Sequence, residues 1–187
     1  MTAASPPATA TAASSSIPAG RDWPAEIHRV LKEARVQQVS YVPDAGHARL
    51  IALCADDPGV RTVPLTTEEE GVALAAGAWL GGQRAALLLQ SSGVGNCINM
   101  LSLASIARFP LLMLVTMRGE WSEFNPWQVP MSRATQPSLE AIGVRVYRGD
   151  TVEEVAETVA AAADLAFDGD QQVAVLLSQR MLGKKIW

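Results

Sequence analysis

Three adjacent carboxylates stand between a predicted strand and a predicted helix that carries almost no polar side chains. The sequence there runs Thr67-Glu68-Glu69-Glu70-Gly71-Val72-Ala73-Leu74-Ala75-Ala76-Gly77-Ala78. Acids at a helix N-terminus face the positive end of the helix dipole and satisfy free amide groups. Because so apolar a helix is expected to be buried on several faces, at least one of these carboxylates should lie in a low-dielectric place. A carboxyl group held there is suited to acid–base chemistry.

Polar residues also follow the first predicted strand, in the run Val42-Pro43-Asp44-Ala45-Gly46-His47. His47 is one of two histidines in the chain. A histidine at the carboxyl end of a strand is a candidate acid or base, because its pKa lies near neutrality. A surface histidine without a role is the alternative. Asp44 has a side chain suited to capping the next helix, and capping alone would explain it.

Glycines follow another strand, in the run Gln90-Ser91-Ser92-Gly93-Val94-Gly95-Asn96. We expect a Gly-x-Gly turn that leads into a helix, a geometry that can cradle an anion on backbone amides. The run is neither a full dinucleotide fingerprint, since the third glycine would fall at Ile98, nor a P-loop. The alternative is that the glycines only allow a backbone or a flat ring to approach closely.

Arg118 ends a fourth strand and opens a loop that continues to residue 127. Its guanidinium could bind an anionic substrate through two hydrogen bonds. The alternative is an ion pair with Glu120 or Glu123. The loop also contains three large aromatic residues, which predict an interface patch or a lid: Trp121, Phe124 and Trp127.

Composition limits the classes of function that the chain can have. The chain has 187 residues, 49% of them hydrophobic and 18% charged, which predicts one domain with a full core. A net charge of -4 argues against binding to nucleic acid. No apolar run approaches the roughly 20 residues needed to span a bilayer, so we expect no membrane segment.

The two cysteines and the first twenty residues complete this outline. Cys54 and Cys97 have no metal-ligand spacing, and they predict buried thiols in a reducing compartment, hence a cytoplasmic protein. Residues 1–20 are rich in Ala, Ser, Thr and Pro and contain no charged side chain. This composition predicts a disordered tail, with residues 21–187 as the folded domain.

The elements that must position these residues alternate between strands and helices. After a first helix from Trp23, strands are expected at 39–42, 61–65, 85–90, 111–117, 144–147 and 173–178, and helices at 45–55, 68–80, 96–108 and 152–167. The strands at 85–90 and 111–117 show no polar alternation, as in a parallel sheet covered on both faces. The pattern predicts a doubly wound α/β fold with a mainly parallel six-stranded sheet. Sites in such sheets lie at the carboxyl ends of the strands.

Taken together, the motifs resemble those of one enzyme family. They are Thr66-Thr67-Glu68-Glu69-Glu70-Gly71-Val72 with Ala75-Ala76-Gly77, then Leu89-Gln90-Ser91-Ser92-Gly93-Val94-Gly95-Asn96 with Asn99, then Arg118-Gly119. This set is similar to the sulfopyruvate decarboxylase alpha subunits and to the first domain of the phosphonopyruvate decarboxylases, both of them thiamine diphosphate enzymes. The resemblance runs from about residue 23 to the C-terminus, with every motif in order.

The resemblance implies a thiamine diphosphate-binding fold of the pyrimidine-binding type. In that family a glutamate lies nine residues before a helical glycine, which corresponds to Glu68 and Gly77. The glutamate hydrogen-bonds the aminopyrimidine ring and favours its imino tautomer, which activates the cofactor for attack on a 2-keto acid. Decarboxylation then yields an aldehyde and CO2. Glu69 and Glu70 are left as capping or solvated acids.

The resemblance also implies roles for other residues. Five are expected to line the cofactor: Ser92, Gly93, Val94, Gly95 and Asn96. Gln90 corresponds to a polar catalytic position. Asp44 and His47 belong to a substrate loop, with His47 also a catalytic candidate, and Arg118 would contact the anionic tail of a small 2-keto acid. His47 departs from related sequences, which often carry an apolar residue at that position.

The family's diphosphate and magnesium motif, Gly-Asp-Gly followed by an asparagine, is not completed in this chain. No asparagine follows Asn125, and we expect no metal site here. The resemblance therefore implies a beta subunit that holds Mg²⁺ and the diphosphate, in an α2β2 or larger assembly. The aromatic loop and residues 181–187 are candidate contact surfaces.

Three other functions remain open from the sequence. The chain could belong to a carboligase or lyase of the same superfamily that acts on aromatic or other aldehydes. It could be a noncatalytic regulatory module with the same fold. It could also be a nucleotide-dependent enzyme that uses the turn at Gly93 and Gly95 to bind a phosphate.

Overall fold

The structure is a computed structural model, and it describes residues 21–184. The predicted disordered tail, residues 1–20, lies outside the described residues, as do the last three residues of the predicted C-terminal contact segment. Six strands occur within the described range: β1 (Val36–Tyr41), β2 (Arg61–Pro64), β3 (Arg84–Gln90), β4 (Leu111–Thr116), β5 (Arg145–Gly149) and β6 (Gln172–Leu177). The helices there are α1 (Trp23–Glu33), α2 (Ala48–Asp56), α3 (Glu69–Leu80), α4 (Ser91–Cys97), α5 (Leu101–Ala107), α6 (Gln128–Ala141), α7 (Val155–Phe167) and α8 (Gln179–Leu182).

The strands form one parallel sheet in the order β2-β1-β3-β4-β6-β5. The predicted doubly wound α/β fold is therefore confirmed, and the sheet is entirely parallel. From β1 the chain turns outward to β2, whereas from β3 it turns the opposite way to β4. This reversal is a topological switch point, and the crevice above the carboxyl ends of β1 and β3 is where such sheets bind ligands.

Helices cover both faces of the sheet and create two core layers. Helices α1, α2 and α7 pack on one face, and α3, α4, α5 and α6 pack on the other. Strand β4 lies between them and is buried along its whole length. Its side chains alternate between the layers, with Leu112 and Leu114 in the first and Met113 and Val115 in the second. Burial on both faces explains why this strand has no polar alternation.

The side of α3 that faces away from the core is also apolar. Its exposed residues include Ala73, Gly77 and Leu80, and Leu80 is 88% exposed. These positions recur at helical spacing and therefore lie on one face of the helix. A Cβ added at Gly77 would meet no atom of residues 21–184 within 4 Å, so packing in this described part of the chain does not require a glycine there.

The expected Gly-x-Gly turn was wrong. Helix α4 begins at Ser91, directly after β3, and both glycines lie inside it. The predicted helix at 96–108 is instead split into α4 and α5. Apolar residues continue at helical spacing through this region and anchor both helices in the core: Val94, Cys97, Leu101 and Ala104, all of them 0% exposed.

Helix α6 was not predicted from the sequence, and it contains two prolines. Pro130 falls in the first turn, where a missing amide hydrogen is tolerated. Pro137 lies inside the helix and removes one backbone hydrogen bond. Thr135 and Leu139, one turn apart and both buried, hold this helix against the core despite that loss.

Candidate active site

A hydrogen-bond network crosses the carboxyl ends of three strands at the switch point. Asp44 follows β1, Gln90 ends β3 and Thr116 ends β4. One carboxylate oxygen of Asp44, Oδ1, accepts from Nε2 of Gln90 at 2.9 Å. The other, Oδ2, accepts from Oγ1 of Thr116 at 2.6 Å. The predicted Asp44 and Gln90 are therefore brought together, and Asp44 does not serve as a helix cap, since His47 occupies the N-cap position of α2.

The amide of Gln90 is oriented from its other side. Its Oε1 accepts from Oγ of Ser92 at 3.0 Å and from Nε2 of Gln128 at 3.3 Å. One of the two N–H groups of Gln90 is thus used on Asp44, and its oxygen accepts from two donors. The Oε1 atom of Gln128 is buried and has no hydrogen-bond partner among the described residues. Ser92, which was predicted to line the cofactor, thus donates into this network.

Glu68 occupies the N-cap position of α3 and is half-buried. Its Oε2 accepts a hydrogen bond from Nδ2 of Asn96 at 2.8 Å. Because Asn96 lies on α4, this hydrogen bond links the start of α3 to α4. The two residues that were predicted to act on the same group therefore touch each other. A bond from a neutral amide to a carboxylate fixes the side chain while leaving the second oxygen, Oε1, for another donor.

Gly93 leaves room for this carboxylate. A Cβ added at Gly93 would overlap the Glu68 side chain, lying within 2.5 Å of its Cγ and nearer still to Cδ and Oε1. No other residue type fits here unless Glu68 moves. The arrangement also argues against a phosphate cradle at this position, because a carboxylate lies directly over the glycine and would repel an anion.

The remaining two acids of the cluster have local roles. Oε2 of Glu70 accepts from the backbone amides of Thr66 and Thr67, at 2.9 and 3.4 Å. This confirms the capping interpretation for Glu70. The pKa of Glu69 is lowered, chiefly by a hydrogen bond with the Thr67 side chain, so Glu69 is a carboxylate at neutral pH. Only Glu68 of the three reaches α4.

Val94 and Gly95, predicted to line the cofactor, have other surroundings. The Val94 side chain is 0% exposed and belongs to the core layer between the sheet and α3–α6. Gly95 faces α6, where an added Cβ would lie 3.3 Å from Sδ of Met131. The structure thus brings Glu68, Gly93 and Asn96 together and turns the Val94 side chain away from them.

His47 is buried in the core and not on the surface. It is 0% exposed, and its Nε2 lies 3.0 Å from the backbone oxygen of Leu114 in β4. Burial lowers its pKa, against the opposing effects of Asp44 and of the Leu114 and Leu89 carbonyls. The imidazole is therefore neutral at physiological pH, with Nε2 positioned to donate to the main chain. Nδ1 is buried and has no partner among the described residues.

Arg118 is committed to an ion pair. Its Nε and Nη2 donate to the two carboxylate oxygens of Glu123 at 2.8 and 2.6 Å. The pKa of Glu123 falls to about 2, first because of the hydrogen bonds from Arg118 and then because Asn125, Gln179 and Gly119 add donors against the effect of burial. The structure therefore favours the ion-pair alternative over a substrate contact for Arg118.

The aromatic loop is tied to the sheet by further polar contacts. Oε1 of Gln179 accepts from the backbone amides of Glu120 and Trp121, and its Nε2 donates to Glu123. Arg148, on β5, donates to both carboxylate oxygens of Glu120. These bonds fix the loop in place, which favours the interface patch over the lid. Its aromatic side chains are exposed: Trp121 by 44%, Phe124 by 52% and Trp127 by 82%.

Sequence reasoning missed three residues of this region: Thr116, Gln128 and Gln179. Thr116 is the one polar residue at the end of an apolar strand, and that position is a signal that could have identified it. Gln128 could not be found, because helix α6 was not predicted. Gln179 follows the last strand directly, but nothing local indicates that its amide binds a loop 58 and 59 residues earlier.

Other classes of site were searched in the same part of the chain. In residues 21–184 no group of three or more His, Cys, Asp and Glu side chains is arranged to hold a metal ion. None of the helices described there is long and apolar enough to cross a membrane. Cys54 and Cys97 are buried free thiols, as predicted. Burial raises the pKa of each to about 12.

The chain is similar in sequence to one family of enzymes and to several of its known members. Residues 25–144 match the family model described as the thiamine pyrophosphate enzyme N-terminal TPP binding domain. The sulfopyruvate decarboxylase subunit alpha of Methanococcus maripaludis is 32% identical over 81% of this chain and 91% of its own length. The protein of the same description from Methanothermobacter thermautotrophicus is 35% identical, over 81% of this chain and 92% of its own.

Two further similarities cover parts of longer proteins. A phosphonopyruvate decarboxylase from Streptomyces viridochromogenes is 39% identical over 56% of this chain and 27% of its own length. A solved structure of 2-oxoglutarate:ferredoxin oxidoreductase from Magnetococcus marinus superposes with a TM-score of 0.69, covering 86% of this chain and 29% of that one. At 18% identity, this last likeness shows the shared fold alone.

Proposed function

The chain belongs to the thiamine pyrophosphate enzymes, through their N-terminal TPP binding domain, and from that membership we propose that it is the pyrimidine-binding alpha subunit of a 2-keto acid decarboxylase. The observation that carries the proposal is the position of Glu68. It stands nine residues before Gly77, as in the family, and it is bound by Asn96 over Gly93. A carboxylate fixed at one oxygen, beside a glycine, can offer the other oxygen to a flat ring.

The residues present fit the pyrimidine end of thiamine diphosphate. When bound, the cofactor supplies the electron sink for decarboxylation of a 2-keto acid. Glu68 would hold or move a proton at a ring nitrogen of the aminopyrimidine, and Asn96 would keep its carboxylate in place. Gly93 would give the side chain and the ring room to meet. Because Glu68 is only half-buried, a group on a neighbouring chain can reach it.

Asp44 and Gln90 are proposed as the polar residues on the substrate side of the site. They lie at the switch point, next to the β3–α4 junction that leads to Gly93 and Asn96. Because the Asp44 carboxylate is held at both oxygens, its remaining lone pairs can accept a proton from a defined direction. His47 and Arg118 are assigned supporting roles here, since the first bonds the β4 backbone and the second bonds Glu123.

The partner is proposed to be a beta subunit that holds the diphosphate and Mg²⁺. Two considerations support it: the relatives that match over most of their length are described as alpha subunits, and no Gly-Asp-Gly with a following asparagine occurs in these 187 residues. We propose an α2β2 or larger assembly and a small 2-keto acid with an anionic tail. The exposed aromatic loop is the candidate contact surface for this partner.

The test is to replace Glu68 in the assembled enzyme. The chain is co-expressed with the proposed diphosphate-binding beta subunit, and CO2 release is measured on a panel of 2-keto acids with thiamine diphosphate and Mg²⁺. Glu68→Gln should abolish nearly all turnover while the melting temperature stays near that of the wild type. Glu70→Gln, an acid of the same cluster with a capping role, is the matched control and should retain turnover. Near-normal activity of Glu68→Gln would refute the assignment.

A further inference from the structure

We propose that Thr116 is a positioning residue, which holds the Asp44 carboxylate in the orientation needed for the reaction. The proposal rests on the proposed function, in which Asp44 faces the substrate. Thr116 is the last residue of β4, and it is 1% exposed. Its side chain is therefore shielded from any ligand that binds at the surface. If Thr116 affects turnover, it does so by holding a neighbouring residue.

The hydroxyl of Thr116 has one proton and two acceptors within reach. The carboxylate oxygen Oδ2 of Asp44 lies 2.6 Å from Oγ1, whereas the backbone oxygen of Leu89 lies 3.4 Å away. The charged acceptor is both nearer and stronger, so the proton points to Asp44. This bond joins residues 72 positions apart in the chain and spans from β4 across β3 to the loop after β1.

The Asp44 carboxylate can turn about its side-chain bonds unless its oxygens are held by donors. Gln90 holds one carboxylate oxygen and Thr116 holds the other. With the Thr116 donor gone, the carboxylate is tethered at one oxygen and can rotate about its side-chain bonds. A reacting group that moves by about 1 Å can lose roughly a hundredfold in rate.

The loop packs tightly over Thr116, which indicates that the contact is built into the fold. A Cβ added at Gly46 would lie 2.8 Å from Cγ2 of Thr116 and 3.0 Å from Oδ2 of Asp44. A glycine at 46 therefore lets the loop approach the threonine closely enough for the short hydrogen bond. Threonine also suits the end of a buried strand, where its methyl group packs while its hydroxyl bonds.

Substitution of the hydroxyl tests the proposal in the assembled enzyme. Thr116→Val keeps the shape and removes the donor, and kcat should fall about ten- to hundredfold with little change in KM. Thr116→Ser restores a donor and should recover most of the lost kcat. Thr158→Val, at a threonine of α7 whose hydroxyl donates to the backbone oxygen of Glu154 at 3.0 Å, is the control and should keep the wild-type kcat.

The same substitution made in an Asp44 variant separates positioning of Asp44 from a merely structural role. In an Asp44→Asn enzyme, Thr116→Val should cause no further loss of kcat, because the two residues act as a unit. Losses that multiply would overturn the proposal, as would a wild-type kcat for Thr116→Val or a failure of Thr116→Ser to recover kcat. Melting temperatures are measured for all variants, and Thr116→Ala, which also lacks the donor, serves as the test if the valine variant does not fold.

A crystal structure of the Thr116→Val chain provides a readout that does not depend on the reaction. The Asp44 carboxylate should turn away from its wild-type position, and an unchanged position would overturn the proposal. If the wild-type assembly releases no CO2 from any 2-keto acid, the proposed function fails. The crystal structure would still decide whether Thr116 positions Asp44.

Discussion

Replacing Gly93 with alanine tests the core of the site without touching its charged residue. The new Cβ would overlap the Glu68 side chain, and the nearest atoms belong to Glu68 alone. Glu68 must therefore swing away, which breaks its bond to Asn96. Because the half-buried carboxylate can reach water, the fold can accommodate this movement.

The expected stability change is small because two effects oppose each other. Gly93 lies inside α4, and alanine stabilises a helix interior by about 1 kcal/mol relative to glycine. Loss of a hydrogen bond to a charged group costs about 1.5–3 kcal/mol. The net destabilisation should therefore be about 0.5–2 kcal/mol, which leaves the chain folded. Turnover should fall roughly a hundredfold, as expected when a catalytic group is displaced.

The assay compares CO2 release by the assembled enzyme with urea unfolding of the same variants. A double variant supplies the control: in a Glu68→Ala background, where no long side chain meets the new Cβ, Gly93→Ala should stabilise the chain by about 1 kcal/mol in urea unfolding, because only the gain in helix propensity remains. Wild-type turnover in Gly93→Ala would refute the reasoning. Equal destabilisation by Gly93→Ala with and without the Glu68 side chain would refute it as well.

Further expectations concern the ion pair, the thiols and the core. The depressed pKa of Glu123 means that its ionisation stabilises the fold above its ordinary pKa, near 4.5, and that this contribution is lost as the pH falls towards about 2. Urea unfolding should therefore show Glu123→Gln to be less stable than the wild type at pH 7, with a smaller difference at pH 3; an equal difference would contradict the Arg118 pairing. Cys54 and Cys97, with pKa values of about 12, should react with a thiol reagent at pH 8 only after unfolding, and fast labelling of the native chain would contradict their burial. Leu114→Ala, at a fully buried position of β4, should cost about 2–5 kcal/mol of unfolding free energy, and a loss below about 1 kcal/mol would contradict the packing of that strand.

Features with a local sequence signal were predicted best. The uninterrupted apolar residues of β4 indicated a strand covered on both faces, and the sheet has that strand near its centre. Glu68 was selected by its spacing to Gly77, and the structure places it against Asn96 and Gly93. In each case a few neighbouring residues contain the information.

Features that depend on contacts between distant segments were predicted less well. The sequence offered Arg118 two acids within five residues, and only the folded loop selects Glu123. The bond from Thr116 to Asp44 joins two strand ends that are not even adjacent in the sheet. Helix α6 was missed; local propensity argues against a helix with Pro137 in its interior, and burial of Thr135 and Leu139 outweighs that cost.

The outward face of α3 has a consequence for how the chain can be produced and handled. A glycine at 77 costs its helix up to about 1 kcal/mol relative to alanine, and no contact within residues 21–184 offsets that cost. Leu80, on the same face, leaves almost its whole side chain in water. A chain expressed alone should therefore accumulate in soluble aggregates or inclusion bodies more readily than one made together with its partner. The yield of monodisperse protein, measured with and without co-expression, becomes a simple laboratory indicator of whether assembly has taken place.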